Sequence, residues 1–181
     1  MNSTERLQMT ESILVQENGQ TITYSFDDVT KYHGFGFPGG VGHAFRVLQR
    51  ALPLLSPDMP AERREIVVRT PFKGPGARDA FEMVTRAVTE GHYTIDDSLL
   101  ALARGGALTG YVFSLSYRGS ELKLTIRDGI VLEEFILLGR KQGRSAAEDE
   151  RLAVLKQDMA ARLLARTAED CYDVEILNRA G

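Results

Sequence analysis

The chain has 181 residues, 43% hydrophobic and 26% charged, which is ordinary for a globular domain large enough to bury its own core. Its formal net charge of −3 gives no excess of positive charge, so we expect no nucleic-acid partner. The single cysteine, Cys171, excludes an intramolecular disulfide and a cysteine-rich zinc site within one chain.

The N-terminal stretch MNSTERLQMTES is polar and lacks the apolar run of a signal peptide. No apolar run elsewhere approaches the roughly 20 residues that a membrane-spanning helix needs. We therefore expect a cytoplasmic protein without a membrane partner.

A β-hairpin and a short helix are predicted first along the chain. Residues 11–26 contain two β-rich stretches joined by Asn18-Gly19, a pair typical of two-residue hairpin turns. Ser25 and Asp28 have the spacing of a helix N-cap pattern, which predicts a short helix over DDVTKYH.

Two loops rich in glycine and proline each lead directly into an amphipathic helix. Residues 34–40 precede the first helix, which Pro53 is expected to end or kink. The predicted strand EIVVRT leads to the second loop, residues 70–80, and the second helix. Each loop is a candidate anion site, because N–H groups at helix N-termini carry partial positive charge. The alternative is that the glycines serve tight turns and close helix packing.

The second half of the chain predicts a weak helix over SLLALAR and then a three-stranded meander, TGYVFSLSY, SELKLTI and IVLEEFILLG. Arg118-Gly119 and Asp128-Gly129 are its predicted hairpin turns. A capping box then opens an amphipathic C-terminal helix.

We therefore expect an α+β fold in which helices pack on an antiparallel or mixed sheet. Residues 1–140 would form the core. Residues 141–181 would supply a C-terminal helix and a short strand that pack on this core or on a dimer partner.

Three histidines are the main candidates for chemistry. His33, His43 and His92 are the candidate ligands of a divalent metal ion, although their spacing matches no recognised zinc signature. Separate surface or hydrogen-bonded roles are the alternative. His33 is the candidate catalytic base or metal ligand because a glycine-rich loop and two phenylalanines adjoin it. The candidate ligand-binding residues are Phe35, Phe37, Gly39, Lys73, Arg78 and Asp79.

Two segments carry a resemblance to a known family. They read His33-Gly-Phe-Gly-Phe-Pro-Gly39 and Gly76-Ala-Arg-Asp-Ala80. They resemble the FmdE-like family of formylmethanofuran dehydrogenase proteins, in which a short helix leads into H-G-H-x-C-P-G and a later strand leads to a cysteine and Asp-Ala. The resemblance covers most of residues 20–140. It implies an FmdE-like α+β core, a homodimer, and a metal site, expected to hold zinc through the His and Cys residues of both segments.

This chain departs from the family pattern at the implied metal ligands. Phe35 replaces the second histidine, Phe37 the first cysteine and Gly76 the later cysteine, so His33 alone is kept. Because Zn²⁺ takes about four donors, we do not expect the family's zinc site.

Two hypotheses follow. In the first, a pocket formed by the two loops around His33 binds a small molecule, an anion or a modified metal site. In the second, the protein is a non-catalytic homodimeric accessory module with a vestigial metal site.

Overall fold

The computed structural model describes residues 12–180, and the polar N-terminal stretch MNSTERLQMTES lies outside these residues except for Ser12. The strands are β1 (Ser12–Glu17), β2 (Gln20–Ser25), β3 (Ala61–Glu62), β4 (Val67–Thr70), β5 (Tyr93–Ile95), β6 (Val112–Tyr117), β7 (Ser120–Ile126) and β8 (Tyr172–Asn178). The helices are α1 (Phe26–His33), α2 (Pro38–Leu55), α3 (Pro75–Thr85), α4 (Glu133–Arg140), α5 (Ala146–Leu164) and α6 (Ala168–Cys171).

The strands form two mixed sheets, and the chain has an α+β fold. The smaller sheet has the order β2-β1-β3, with β1 antiparallel to β2 and parallel to β3. The larger sheet has the order β5-β4-β6-β7-β8, in which only the β4–β5 pair is parallel. The C-terminal strand β8 is therefore a member of the main sheet.

The local signals at the start of the chain are confirmed. Asn18 and Gly19 connect β1 to β2 with φ values of 51° and 77°, as a tight hairpin turn requires. The Ser25 hydroxyl accepts a hydrogen bond from the backbone N–H of Asp28, and the Asp28 carboxylate accepts one from the Ser25 N–H. This capping box fixes the start of α1 and therefore the position of His33 at its other end.

Helix α2 runs through the centre of the molecule. It packs against α3 on one side and α5 on another, and most of its residues are buried. A Cβ built on Gly40 would lie 3.0 Å from the backbone nitrogen of Ala77, and one on Gly42 would lie 3.1 Å from the Leu163 side chain. These glycines therefore serve close helix packing. Pro53 lies inside the last turn, and the helix ends at Leu55.

The predicted third strand of the meander is wrong. The stretch IVLEEFILLG contains α4, and Gly129 adopts a φ of 79° in a turn that does not close a hairpin. A short apolar run does not distinguish a strand from a helix, and Glu133 and Glu134 in the first turn favour a helix. The third antiparallel strand is β8 instead, which pairs with β7.

Two further predictions have clear outcomes. The weak helix over SLLALAR is replaced by short 3-10 turns, Asp97–Leu99 and Leu102–Arg104. The predicted capping box at Ser145 and Glu148 is confirmed and opens α5.

Candidate functional site

His33 and Asp79 form a hydrogen-bonded pair at the junction of α1, α2 and α3. His33 is the last residue of α1, and Asp79 lies in the second turn of α3. The His33 Nδ1 atom is 2.8 Å from Oδ2 of Asp79, and the two side chains are 8% and 33% exposed. An ionised carboxylate only accepts hydrogen bonds, so Nδ1 carries a proton, and in the neutral imidazole Nε2 is the nitrogen with the lone pair.

The Nε2 atom of His33 is buried and has no hydrogen-bond partner in the part of the chain that the structure describes. An unpaired buried polar atom costs about 1–3 kcal/mol of stability, so such atoms are uncommon in folded proteins. The pair therefore holds an oriented imidazole whose second nitrogen is available to a ligand.

Close contact between the two loops brings these residues together. A Cβ built on Gly76 would lie 2.6 Å from the carbonyl oxygen of Phe37 and 3.0 Å from the backbone nitrogen of Val41. Gly34 ends α1 with a φ of 88°, in the region that favours glycine. The segments that carry the family resemblance thus meet in space, and position 76 accepts only glycine without movement of the backbone.

Phe37 adjoins the imidazole, whereas Phe35 faces away from the protein interior. The ring centroids of His33 and Phe37 are 5.9 Å apart, and the Lys156 ammonium lies 4.6 Å from the Phe37 centroid. Phe37 is 45% exposed and Phe35 is 77% exposed. Gly39 is buried in the first turn of α2 against Met159. Of the candidate ligand-binding residues Phe35, Phe37 and Gly39, Phe37 alone has a described contact with the imidazole.

The two cationic side chains of the second loop, Lys73 and Arg78, have different partners. The Arg78 guanidinium lies 3.7 Å from Oδ1 of Asp79 and extends the polar pair. The Lys73 ammonium pairs with the exposed carboxylate of Asp97 at 3.3 Å. Arg78 therefore belongs to the site, and Lys73 lies in a different environment.

His43 is fully buried in α2 and uses both ring nitrogens. Its Nδ1 atom is 2.7 Å from the Tyr172 hydroxyl, and its Nε2 atom is 3.4 Å from Sδ of Met159. Burial lowers the pKa of His43 to about 3, so the imidazole is neutral at physiological pH. His43 is a structural residue of the aromatic core.

The three histidines do not form a metal centre. Nδ1 of His92 is buried without a hydrogen-bond partner among residues 12–180, and its backbone carbonyl accepts a bond from Val68. In this same part of the chain, no group of three or more His, Cys, Asp or Glu side chains is arranged to hold a metal ion. The proposed ligand set His33, His43 and His92 thus has no geometric support, and the donors present do not fit a zinc ion, which takes about four.

Two described cavities lie away from His33. The larger, about 700 Å³, runs between α2 and the segment that follows α5. The smaller, about 440 Å³, lies between the loop before α3 and helix α4, and Lys73 and Tyr111 line it. Because the Nε2 atom of His33 is itself buried, a ligand reaches it only after the residues that cover it move.

Two contacts of the site could not be identified from the sequence: that of Lys156 with Phe37, and the pairing of His33 with Asp79. His33 and Asp79 are 46 positions apart, and no local sequence pattern indicates this pair or the Lys156–Phe37 contact.

No model of a known protein family matches the chain, and a search of curated proteins also finds no match. Within residues 12–180, none of the helices combines the length and the apolar character needed to span a bilayer.

Proposed function

We propose that this protein binds a small molecule at His33, whose Nε2 atom accepts a hydrogen bond or a proton from the ligand. The observation that carries the proposal is the pairing of Nδ1 with Asp79 at 2.8 Å while Nε2 is buried without a described partner. A carboxylate that fixes the tautomer of an imidazole is the arrangement that general bases use.

The site favours a ligand that combines a hydroxyl or N–H donor with an apolar body. The Nε2 lone pair requires a hydrogen-bond donor, and the Phe37 ring offers an apolar surface beside it. Arg78 and Lys156 add positive charge nearby, which stabilises an oxygen that becomes negative as its proton moves to His33.

We propose that Nε2 becomes accessible through movement of residues 34–37, the loop between α1 and α2. Gly34 and Gly36 give this loop backbone freedom, and a Cβ built on either would meet no other atom within 4 Å. The exposed Phe35 at the loop tip is available to contact a ligand after the loop opens.

The same geometry supports an FmdE-like core. The two segments that resemble the family contact each other through Gly76 and Phe37, and His33 pairs with Asp79 across them. A modified metal site at His33 would need donors beyond the described residues, so we propose a small molecule in preference to a metal ion. We also propose a cytoplasmic location.

Imidazole ¹⁵N NMR of the full chain, titrated with phenol and separately with Zn²⁺, tests the proposal. Phenol carries the hydroxyl donor and apolar ring that the site favours. We expect saturable movement of the His33 Nε2 resonance with phenol, abolished binding in His33→Ala and weakened binding in Asp79→Asn. His92→Ala, which removes another imidazole with an unpaired nitrogen, is the matched control.

Three results would contradict the proposal. They are an Nε2 resonance of His33 that does not move with phenol, phenol binding that is retained in His33→Ala, and a loss of phenol binding in His92→Ala as large as that in His33→Ala. Stoichiometric Zn²⁺ binding that depends on His33 would instead favour the modified metal site.

A homodimeric accessory module is the second candidate, and the position of β8 at an edge of the sheet formed by the described residues favours it. Strand β8 lies at the end of the five-stranded sheet, and its Ile176 and Leu177 side chains are 44% and 45% exposed. Exposed edge strands with apolar side chains readily pair with a second chain. Size-exclusion chromatography with light scattering tests this: a dimer that becomes a monomer in Ile176→Lys/Leu177→Lys supports it, and a wild-type monomer contradicts it.

A further inference from the structure

The smaller cavity, which we call the Tyr111 cavity, has apolar walls and a polar end. Its volume is about 440 Å³, within the range of roughly 300–1,000 Å³ usual for small-molecule sites. The lining residues that matter for binding are Phe72, Lys73, Tyr111, Phe135, Ile136 and Arg140. They come from the loop before α3, from the segment that precedes β6 and from α4.

The ring of Tyr111 is fixed, but its hydroxyl is not paired. Its centroid lies 5.0 Å from those of His43 and Phe72, and the residue is only 7% exposed. Its hydroxyl forms no hydrogen bond with any group in residues 12–180. The hydroxyl itself is not fully buried, so it is accessible to a ligand in the cavity that Tyr111 lines. Since burial raises the pKa of Tyr111 to about 12, the group remains a hydrogen-bond donor.

The charged groups that line the cavity are both positive. Lys73 pairs with Asp97, whereas the Arg140 guanidinium forms no ion pair or hydrogen bond within the described chain. Arg140 is close enough to Tyr111 for its charge to oppose the rise of that pKa. None of the described lining residues is acidic. An unpaired guanidinium, an unpaired hydroxyl and an apolar wall are complementary to an anion with an apolar body.

We propose that the Tyr111 cavity binds a small monocarboxylate with an aromatic or branched aliphatic body. The carboxylate accepts hydrogen bonds from the Tyr111 hydroxyl and the Arg140 guanidinium, and the body packs against Phe72, Phe135 and Ile136. The cavity does not include His33, so this site is independent of the function proposed above.

Isothermal titration calorimetry of the full chain with benzoate tests the proposal, with benzamide as a neutral ligand of similar shape. We expect saturable benzoate binding, and an affinity at least roughly tenfold lower for benzamide, because a charge-assisted hydrogen bond is lost. Tyr111→Phe keeps the ring and removes only the hydroxyl, and Arg140→Gln removes the charge. Each variant should weaken benzoate binding by roughly tenfold.

Lys141→Gln is the matched control. It removes a neighbouring positive charge that pairs with Glu148 and does not line the cavity, so benzoate binding should be unchanged. His33→Ala should also bind benzoate normally. The proposal is overturned if wild-type protein shows no saturable binding at millimolar benzoate, if benzamide binds equally well, if Tyr111→Phe and Arg140→Gln bind as wild type, or if either control loses binding.

Discussion

His33 and His43 differ in the use of their second ring nitrogen. Each imidazole has one nitrogen within 2.8 Å of an oxygen, from Asp79 in one case and from Tyr172 in the other. The second nitrogen of His43 contacts the Met159 sulfur, whereas that of His33 is buried without a described partner. Burial therefore does not distinguish these two histidines, and the difference between them lies in the contacts of the second ring nitrogen.

Alanine substitution at the two positions should give the largest difference. His43→Ala leaves a cavity and an unpaired Tyr172 hydroxyl, so we expect a loss of about 2–5 kcal/mol in the free energy of unfolding. His33→Ala also removes an unpaired buried nitrogen and should cost less than about 1 kcal/mol. Urea denaturation measures the free energy of unfolding of both variants. Equal losses in His43→Ala and His33→Ala would contradict the proposed difference between the two histidines.

The pH dependence of stability should report His43. Its pKa falls from 6.5 to about 3 on folding, so the unfolded chain binds the extra proton between these values. The stabilisation is complete above pH 6.5 and is lost as the pH falls toward 3, by up to about 1.4 kcal/mol per pH unit.

Urea denaturation between pH 7 and pH 4 checks this contribution. The His43→Gln variant should lose stability less steeply than wild type, by up to about 1.4 kcal/mol per pH unit. Parallel curves for wild type and His43→Gln would show that His43 does not titrate in this way.

The two loops should tolerate alanine at Gly36 but not at Gly76. Gly76→Ala places a methyl group 2.6 Å from the Phe37 carbonyl oxygen, so we expect a loss of about 1–3 kcal/mol and weaker phenol binding at His33. Gly36→Ala meets no atom within 4 Å and should change stability by less than about 0.5 kcal/mol. Thermal unfolding compares the two, and a neutral Gly76→Ala would show that the loops separate easily.

The features that depend on adjacent residues could be predicted from the sequence. The Asn18-Gly19 turn and the capping boxes at Ser25 and Ser145 follow from local backbone chemistry, and the structure confirms them. The α+β fold followed from the periodicity of longer segments. The prediction of a third meander strand was wrong because the apolar run around Phe135 is too short for its periodicity to distinguish a strand from a helix.

The roles of the histidines could not be predicted, because their partners are distant in sequence. Asp79 is 46 positions from His33, whereas Met159 and Tyr172 are 116 and 129 positions from His43. From the sequence, both histidines are candidate ligands of one metal, with His33 favoured because of its neighbouring residues. Only the packing of α5 and β8 against α2 separates the two environments.

Phe37 gives the most direct test of access to His33, with only a small expected effect on stability. Its half-exposed ring lies beside His33, so Phe37→Ala should cost less than about 1 kcal/mol but expose Nε2. Diethyl pyrocarbonate modifies accessible neutral imidazoles, and peptide mass spectrometry locates the modified residue. We expect His33 to react several-fold faster in Phe37→Ala than in wild type, while His43 stays unmodified because it is fully buried.

Phe35→Ala, at the 77% exposed loop tip, is the control and should leave the His33 rate unchanged. If Phe37→Ala does not accelerate modification of His33, another part of the fold covers Nε2, and the opening of residues 34–37 is not the route to the site.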